Sequence, residues 1–219
     1  MSSLPLRTRL AQGAHALGLE LCAEHLDRLL AYLDLLARWN KVYNLTAVRD
    51  PADMLTQHLL DSLSVIAPLR RHTQGTPVRL LDVGSGGGLP GVVIAICCPE
   101  IAVTCVDAVA KKAAFIQQAA GTLGLPKLRG VHARVESLGG RFDVVTSRAF
   151  ATLADFANWS AAALADGGVW MAMKGKLPHD EIAALPKAVQ VFHVEQLQVP
   201  DLGAERHLIW IRPARSAAP

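Results

Sequence analysis

From Val78 onward the chain falls into short β-rich runs separated by helical ones, and this alternation restricts the fold more than any other feature. The runs 78–84, 102–108, 128–135, 142–149 and 167–175 are apolar and β-branched, while 91–98, 111–124 and 153–164 carry helical spacing. Apolar strands joined by helices imply a parallel sheet covered on both faces. The end of the chain departs from the rhythm. Segments 189–200 and 205–213 follow each other with no helix between, which predicts an antiparallel hairpin.

Ahead of the sheet, residues 20–40 set Leu26, Leu29, Leu30, Leu33, Leu36 and Ala37 on one helical stripe. A second helix is signalled by Asp50 as N-cap and Pro51 at its first position. It points Leu55, Leu59, Leu63 and Ile66 inward and is expected to stop near Pro68. Between the two lies RWNKVYNLTAVRD, polar and aromatic; RRHTQGTP, Arg70 to Pro77, reads as a linker. The expected organisation is an N-terminal helical segment over 1–70, a linker over 71–77, an α/β domain over 78–213 and a tail over 214–219.

Composition narrows the function classes modestly. Of 219 residues, 51% are hydrophobic and 19% charged, which describes a globular chain with one full-sized core. No apolar run is long enough to span a bilayer, and the first residues lack a secretory h-region. Cys22, Cys97, Cys98 and Cys105 form no Cys-x-x-Cys pair, so reduced thiols, a cytoplasmic setting and no metal are expected. Net charge is +3, with 8 basic against 7 acidic residues over 1–75, so no basic arm announces nucleic acid.

The first strand runs into LLDVGSGGGLPG, Leu80 to Gly91, and then into a helix, where doubly wound sheets hold adenosine ligands. Glycines let backbone N–H groups approach a ligand with no Cβ in the way. A triphosphate loop is excluded because Val92 and Val93 stand where Lys-Ser/Thr is needed. Gly86, Gly88 and Gly91 satisfy the dinucleotide pattern, a weak signal in so glycine-rich a window. Asp82 followed by Gly84, Gly86 and Gly88 fits S-adenosylmethionine better. Asp107, ending the second strand, suits the ribose hydroxyls of either cofactor. The terminal hairpin favours the seven-stranded sheet of S-adenosylmethionine-dependent methyltransferases over a dinucleotide sheet. Three classes stay open on these residues: an RNA methyltransferase, a methyltransferase for a small molecule or protein, and a nicotinamide-dependent enzyme.

RWNKVYNLTAVRDPADMLTQHLLDSL, LLDVGSGGGLPG, FDVVTSRAFA, MKGK and AERHL together resemble the RsmG (GidB) family of bacterial methyltransferases, in the same order from about Leu19 to Arg212. The resemblance implies a Rossmann-like α/β sheet, parallel with a C-terminal antiparallel hairpin, behind a small N-terminal helical segment. It also implies methyl transfer from S-adenosylmethionine to N7 of one guanine in the decoding-region loop of 16S ribosomal RNA. Carried over by position, the cofactor contacts fall on Gly84 and Leu89, with Asp107 as the ribose acid. Val135 and Glu136 become the adenine-side pair, and Arg148 in SRAFA the remaining ligand-site residue; Gly86 and Gly88 complete the expected cradle. One departure is visible, since Gly87 stands where the family's loop often has proline.

Attack by guanine N7 needs no general base, because N7 carries a lone pair and no proton. No Asp/Asn-Pro-Pro-aromatic or Pro-Cys signature is present, and no acid–base catalyst is assigned. Arg148 is placed beside both cofactor and base, the competing reading being a surface ion pair with Asp143 or Asp155. For RNA, the candidates are Lys41, Asn44, Arg49 and His58, with Lys174, Lys176, Arg206 and His207 at the sheet's ligand edge. Trp39 and Tyr43 are candidates for stacking, although Trp39 also follows the apolar stripe and His58 could simply bond a neighbour. With no concentrated basic patch, the expected substrate is a small ribosomal subunit or an assembly intermediate whose shape supplies contacts, met by a monomer.

Overall fold

The computed structural model describes residues 3–214, so all but the first residue of the tail read at 214–219 lies outside the described residues. Strands β1 (Arg79–Val83), β2 (Ala102–Asp107), β3 (Leu128–His132), β4 (Phe142–Arg148), β5 (Leu164–Lys174), β6 (Val189–Gln196) and β7 (His207–Pro213) form one sheet in the order β3-β2-β1-β4-β5-β7-β6. The first five are parallel; β7 runs antiparallel to both β5 and β6. The last strand therefore lies inside the penultimate one. Its residues explain the choice: His207 to Ile211 are all buried, whereas β6 is exposed at Phe192, His193 and Gln196 and takes the edge.

The helices that follow the strands match the sequence expectation: α6 (Gly91–Cys97), α7 (Ala110–Thr122) and α8 (Leu153–Ser160). A short α9 (His179–Ala183), with no buried residue, was not expected from the sequence.

The N-terminal part consists of α1 (Ser3–Ala16), α2 (Ala23–Tyr43), α3 (Pro51–Met54), a π-helical stretch (Leu55–Leu60), α4 (Asp61–Leu63) and α5 (Ile66–Thr73). Asp50 caps α3 as expected, accepting from Ala52 N at 2.8 Å and Asp53 N at 3.2 Å, with Pro51 first in the helix. Two expectations need correction. The helix does not stop near Pro68: it ends at Leu63, and Pro68 lies in the first turn of α5, where a missing N–H interrupts nothing. Residues Arg70–Thr73 are helix and not linker. Leu69 and Thr73 are buried, and Arg70 Nη2 donates to Cys97 O at 2.7 Å, which ties α5 to α6.

One apolar core joins Leu10, Leu29, Leu36 and Leu59 of the N-terminal helices to Val92, Val103 and Phe115 on one face of the sheet. A second core on the other face joins Val145 and Ile209 to Phe156 of α8. The chain boundary near residue 75 is thus no boundary in packing.

Candidate functional site

The carboxyl ends of the parallel strands border two cavities that share Gly84, and the N-terminal segment closes over the larger of them. The loop after β1 is held from below. Asp82 is fully buried, and its Oδ2 accepts from Gly91 N at 2.8 Å. Burial pushes its carboxyl up to about 7, against the pull of the Gly91 N–H. A Cβ on Gly91 would overlap Cys105 Sγ, so this glycine serves close packing. Tyr32 of α2, also fully buried, donates its hydroxyl to Gly87 O at 2.5 Å. The loop is fixed by its own strand on one side and by the N-terminal segment on the other.

Gly84, Gly86 and Gly88 have φ of +64°, +57° and +87°, a region that strains any L side chain. They do not share one role. A Cβ on Gly86 would meet nothing nearer than Gly84 O at 4.0 Å and would stand in the larger cavity. A Cβ on Gly88 would collide with Val92 and press on Ile116, so Gly88 faces the core. Gly88, expected in the cofactor cradle, lines neither cavity, whereas Gly84 lines both and has a Cβ position blocked by the Phe150 ring. Leu89, followed by a cis peptide to Pro90, lines the larger cavity.

The smaller cavity, about 240 Å³, is walled by Val83, Val106, Ala108, Ala133 and Val135, with Phe150 and Trp159 edge-to-face at 5.9 Å. Its polar groups are Asp107 and the exposed Glu136, with Arg134 beside them. Asp107 accepts from Gly86 N at 3.0 Å and Val109 N at 2.9 Å, with Lys112 Nζ at 3.7 Å. Its remaining lone pairs are available to hydroxyl donors. An apolar slot with one anchored carboxylate fits a purine nucleoside.

The larger cavity, about 510 Å³, has the loop Gly84–Gly87 and Leu89 as its floor. Arg148 and Lys174 enter from the sheet, Gln57, His58 and Asp61 from the helices, and Arg206 from the segment before β7. Asp61 is 1% exposed and bridges two cations: Oδ2 accepts from Arg148 Nη1 at 2.7 Å and Oδ1 from Arg206 Nε at 2.6 Å. Arg148 Nη1 also donates to Gln57 O at 2.9 Å. The expected alternatives for Arg148 are not its partners, since Asp143 accepts from Arg79 N and Asp155 is bonded to Thr152.

The remaining expected RNA contacts divide. Lys174 faces the cavity but is tied to Glu181 at 2.7 Å and to Ala151 O at 2.8 Å. His58 lines the cavity while being almost wholly buried, its Nε2 at 2.8 Å from Thr46 Oγ1. Burial first, and Arg148 second, lower its pKa to about 4, so it is neutral at pH 7. His207 is turned away from solvent, with Nδ1 at 2.8 Å from Gly175 O, which corrects its reading as an RNA contact. Lys41, Asn44, Arg49 and Lys176 are exposed and line neither cavity. Asn44 is the left-handed cap of α2 (φ 50°) and accepts from Arg49 Nη2 at 3.3 Å. Trp39 packs edge-on against Phe115 at 5.4 Å and near Tyr43, which is 40% exposed, at 4.9 Å.

Sequence reasoning missed Asp61, Gln57 and Tyr32. A signal for Asp61 was present: an acid set among Leu59, Leu60 and Leu63 of a helical run must find a partner where that run is buried.

Comparison with known proteins decides the family. The model for "rRNA small subunit methyltransferase G" (GidB) matches residues 25–209. The chain belongs to that family. "Ribosomal RNA small subunit methyltransferase G" of Acidovorax ebreus is 66% identical, covering 97% of this chain and 98% of the relative. The protein of the same name from Paracidovorax citrulli is 62% identical, over 98% and 91%. Solved structures that share the fold include TrmN from Thermus thermophilus, with TM-score 0.57 at 19% identity, covering 73% of this chain and 53% of that one. Another is the Burkholderia thailandensis 1,6-didemethyltoxoflavin-N1-methyltransferase, with TM-score 0.56 at 19% identity, over 89% and 92%. Membership of the methyltransferase G family agrees with the seven-stranded sheet and its terminal hairpin, which were expected from the sequence. Among the described residues no helix is long and apolar enough to cross a membrane.

Proposed function

We propose that this member of the methyltransferase G family transfers a methyl group from S-adenosylmethionine to N7 of one guanine in 16S ribosomal RNA, acting in the cytoplasm as a monomer on the small subunit or an assembly intermediate. One observation carries the reading: an apolar nucleoside slot and a wide cation-walled cavity open onto the same glycine, Gly84. A cofactor with an adenosine at one end and a reactive sulfonium at the other spans such a pair.

The chain's residues fit that cofactor. Asp107 would take the ribose hydroxyls, and Val135 and Glu136 would flank the adenine. Gly86 and Leu89 would border the thioether end, and Arg148 would reach it from β4. When bound, the cofactor would supply an activated methyl to the N7 lone pair, with the C–S electron pair left on sulfur and the positive charge passed to the base. No proton moves, so the protein's task is alignment of the two reactants. Gln57, His58 and Thr46 crowd the base side of the cavity, and neutral His58 adds no charge there. Lys41, Arg49, Lys176 and Tyr43 are left to meet the RNA outside it.

Incubation with labelled cofactor and unmodified small subunits should place N7-methylguanine at a single position of the 16S RNA, with slower transfer to protein-free RNA. Label in no ribosomal RNA would overturn the activity, and equal rates would overturn the particle preference. Arg148→Ala should weaken S-adenosylhomocysteine binding and turnover by tenfold or more, of the order expected for losing a charge-assisted contact. If both stay unchanged, Arg148 has no part in the site.

A further inference from the structure

The reaction places an unusual demand on the larger cavity. Its reactant is a sulfonium cation and its product is a cationic base, so one positive charge is present in the cavity throughout. Yet its wall carries two guanidinium groups, Arg148 and Arg206. Lys174 is neutralised by Glu181, and His58 is uncharged at pH 7. The remaining charge on the wall is that of Asp61, almost wholly buried between the two arginines and accepting from one with each oxygen.

We infer that Asp61 is the counter-charge and positioning residue of the methyl-transfer cavity. It seats Arg148 and Arg206 by their Nη1 and Nε atoms, and it reduces the wall's net charge from +2 to +1 so that a sulfonium can enter. Both effects follow from geometry. A carboxylate has an acceptor oxygen for each arginine, whereas an amide has one and would set its N–H₂ against the other guanidinium. Asp61 is buried and the two arginine side chains keep only 22% and 26% of their exposure, so water screens the triad in part and one charge more or less in the wall is felt by a nearby cation. Arg206, 145 residues from Asp61 in sequence, is thereby held beside the cofactor end rather than only at an RNA-facing rim.

The inference rests on the methyl-transfer reading, and its test is separable from that reading because it compares two ligands in binding alone. S-adenosylmethionine carries the sulfonium charge; S-adenosylhomocysteine is the same molecule without it. Calorimetric titration of the folded full-length chain should show Asp61→Asn losing affinity for the sulfonium at least about tenfold more than for the thioether. Arg206→Gln, which keeps Asp61 paired with Arg148, should shift the ratio of the two affinities the opposite way. The double variant Asp61→Asn/Arg206→Gln returns the wall to +1 and should bring the ratio back towards wild type. A structural role alone would lower both affinities together, and an unchanged ratio in Arg206→Gln overturns the inference even if Asp61→Asn does not fold, as does a double variant whose ratio stays as far from wild type as that of either single variant. Transfer to small subunits by the wild-type chain, measured separately, reports whether the underlying activity holds.

Discussion

The two cavities that meet at Gly84 are built by different means. The smaller cavity is made largely from what the strands leave at their carboxyl ends: Gly84 after β1, Asp107 ending β2, the apolar residues beside them, and the rings of Phe150 and Trp159. The larger cavity is walled by side chains brought from distant parts of the chain, with Asp61 paired to residues 87 and 145 positions away. The first can be recognised locally, because its groups sit at strand ends and in the turns that follow them. The second depends on pairing, and a lost partner leaves a buried charge behind.

The largest test of this contrast strikes the backbone side. Gly91→Ala drives a Cβ into Cys105 Sγ and to within 2.8 Å of Asp82 Oδ2, at the point where the loop enters α6. Overpacking of this kind costs about 3 kcal/mol, and urea denaturation should read it together with lost S-adenosylhomocysteine binding. A fully stable variant would mean the loop is less rigidly held than its contacts imply.

On the paired side, pH is the lever. His58 has a folded pKa of about 4 against 6.5 when unfolded, so the unfolded chain binds more protons between these values. Its neutral burial is therefore fully tolerated above pH 6.5 and opposes folding as pH falls through 4, by up to about 3 kcal/mol. Asp82, raised to about 7, acts oppositely: its contribution is present below pH 3.8 and lost as pH rises through 7. For that reason the measurement is a difference. The stability gap between wild type and His58→Gln should shrink between pH 7 and pH 4, and a gap independent of pH would remove His58 from the account.

Tyr32 reaches from α2 to the glycine loop that floors the larger cavity. Tyr32→Phe leaves Gly87 O without its buried donor and should cost about 1–2 kcal/mol in urea denaturation. Equal stability would show the loop to be held by its own strand alone. The smallest effects belong outside both cavities. Lys41→Ala and Arg49→Ala should each raise KM for small subunits less than about threefold and reduce the salt dependence by about one charge. Their affinity for S-adenosylhomocysteine should not move; a change there would place them closer to the site than their exposure indicates.

How far the molecule was legible follows from the same contrast. The strand–helix alternation after Val78 and the final pair of strands announced the sheet, because apolar period and chain connection are local properties. The inner place of β7 was also written in HLIWI, although that reading needs both strands compared. Glycine pattern alone did not distinguish Gly86, open to the cavity, from Gly88, turned into the core. The helix boundary at Pro68 was misplaced because proline is compatible with a helix's first turn as well as its end. Lys174 and His207 looked available for RNA by residue type, and each is occupied by an internal partner.

The sequence by itself determined the sheet, the glycine turn after β1, the acid that ends β2 and, through its motifs, the family. These depend on neighbours within a few residues, and backbone geometry responds to them directly. Only the tertiary structure decided that Arg148 shares Asp61 with Arg206, that Tyr32 braces Gly87, and that His58 is buried and neutral. Those pairings arise when segments far apart in the chain close on one another, and a charge withdrawn from water takes whichever partner the packing brings within reach.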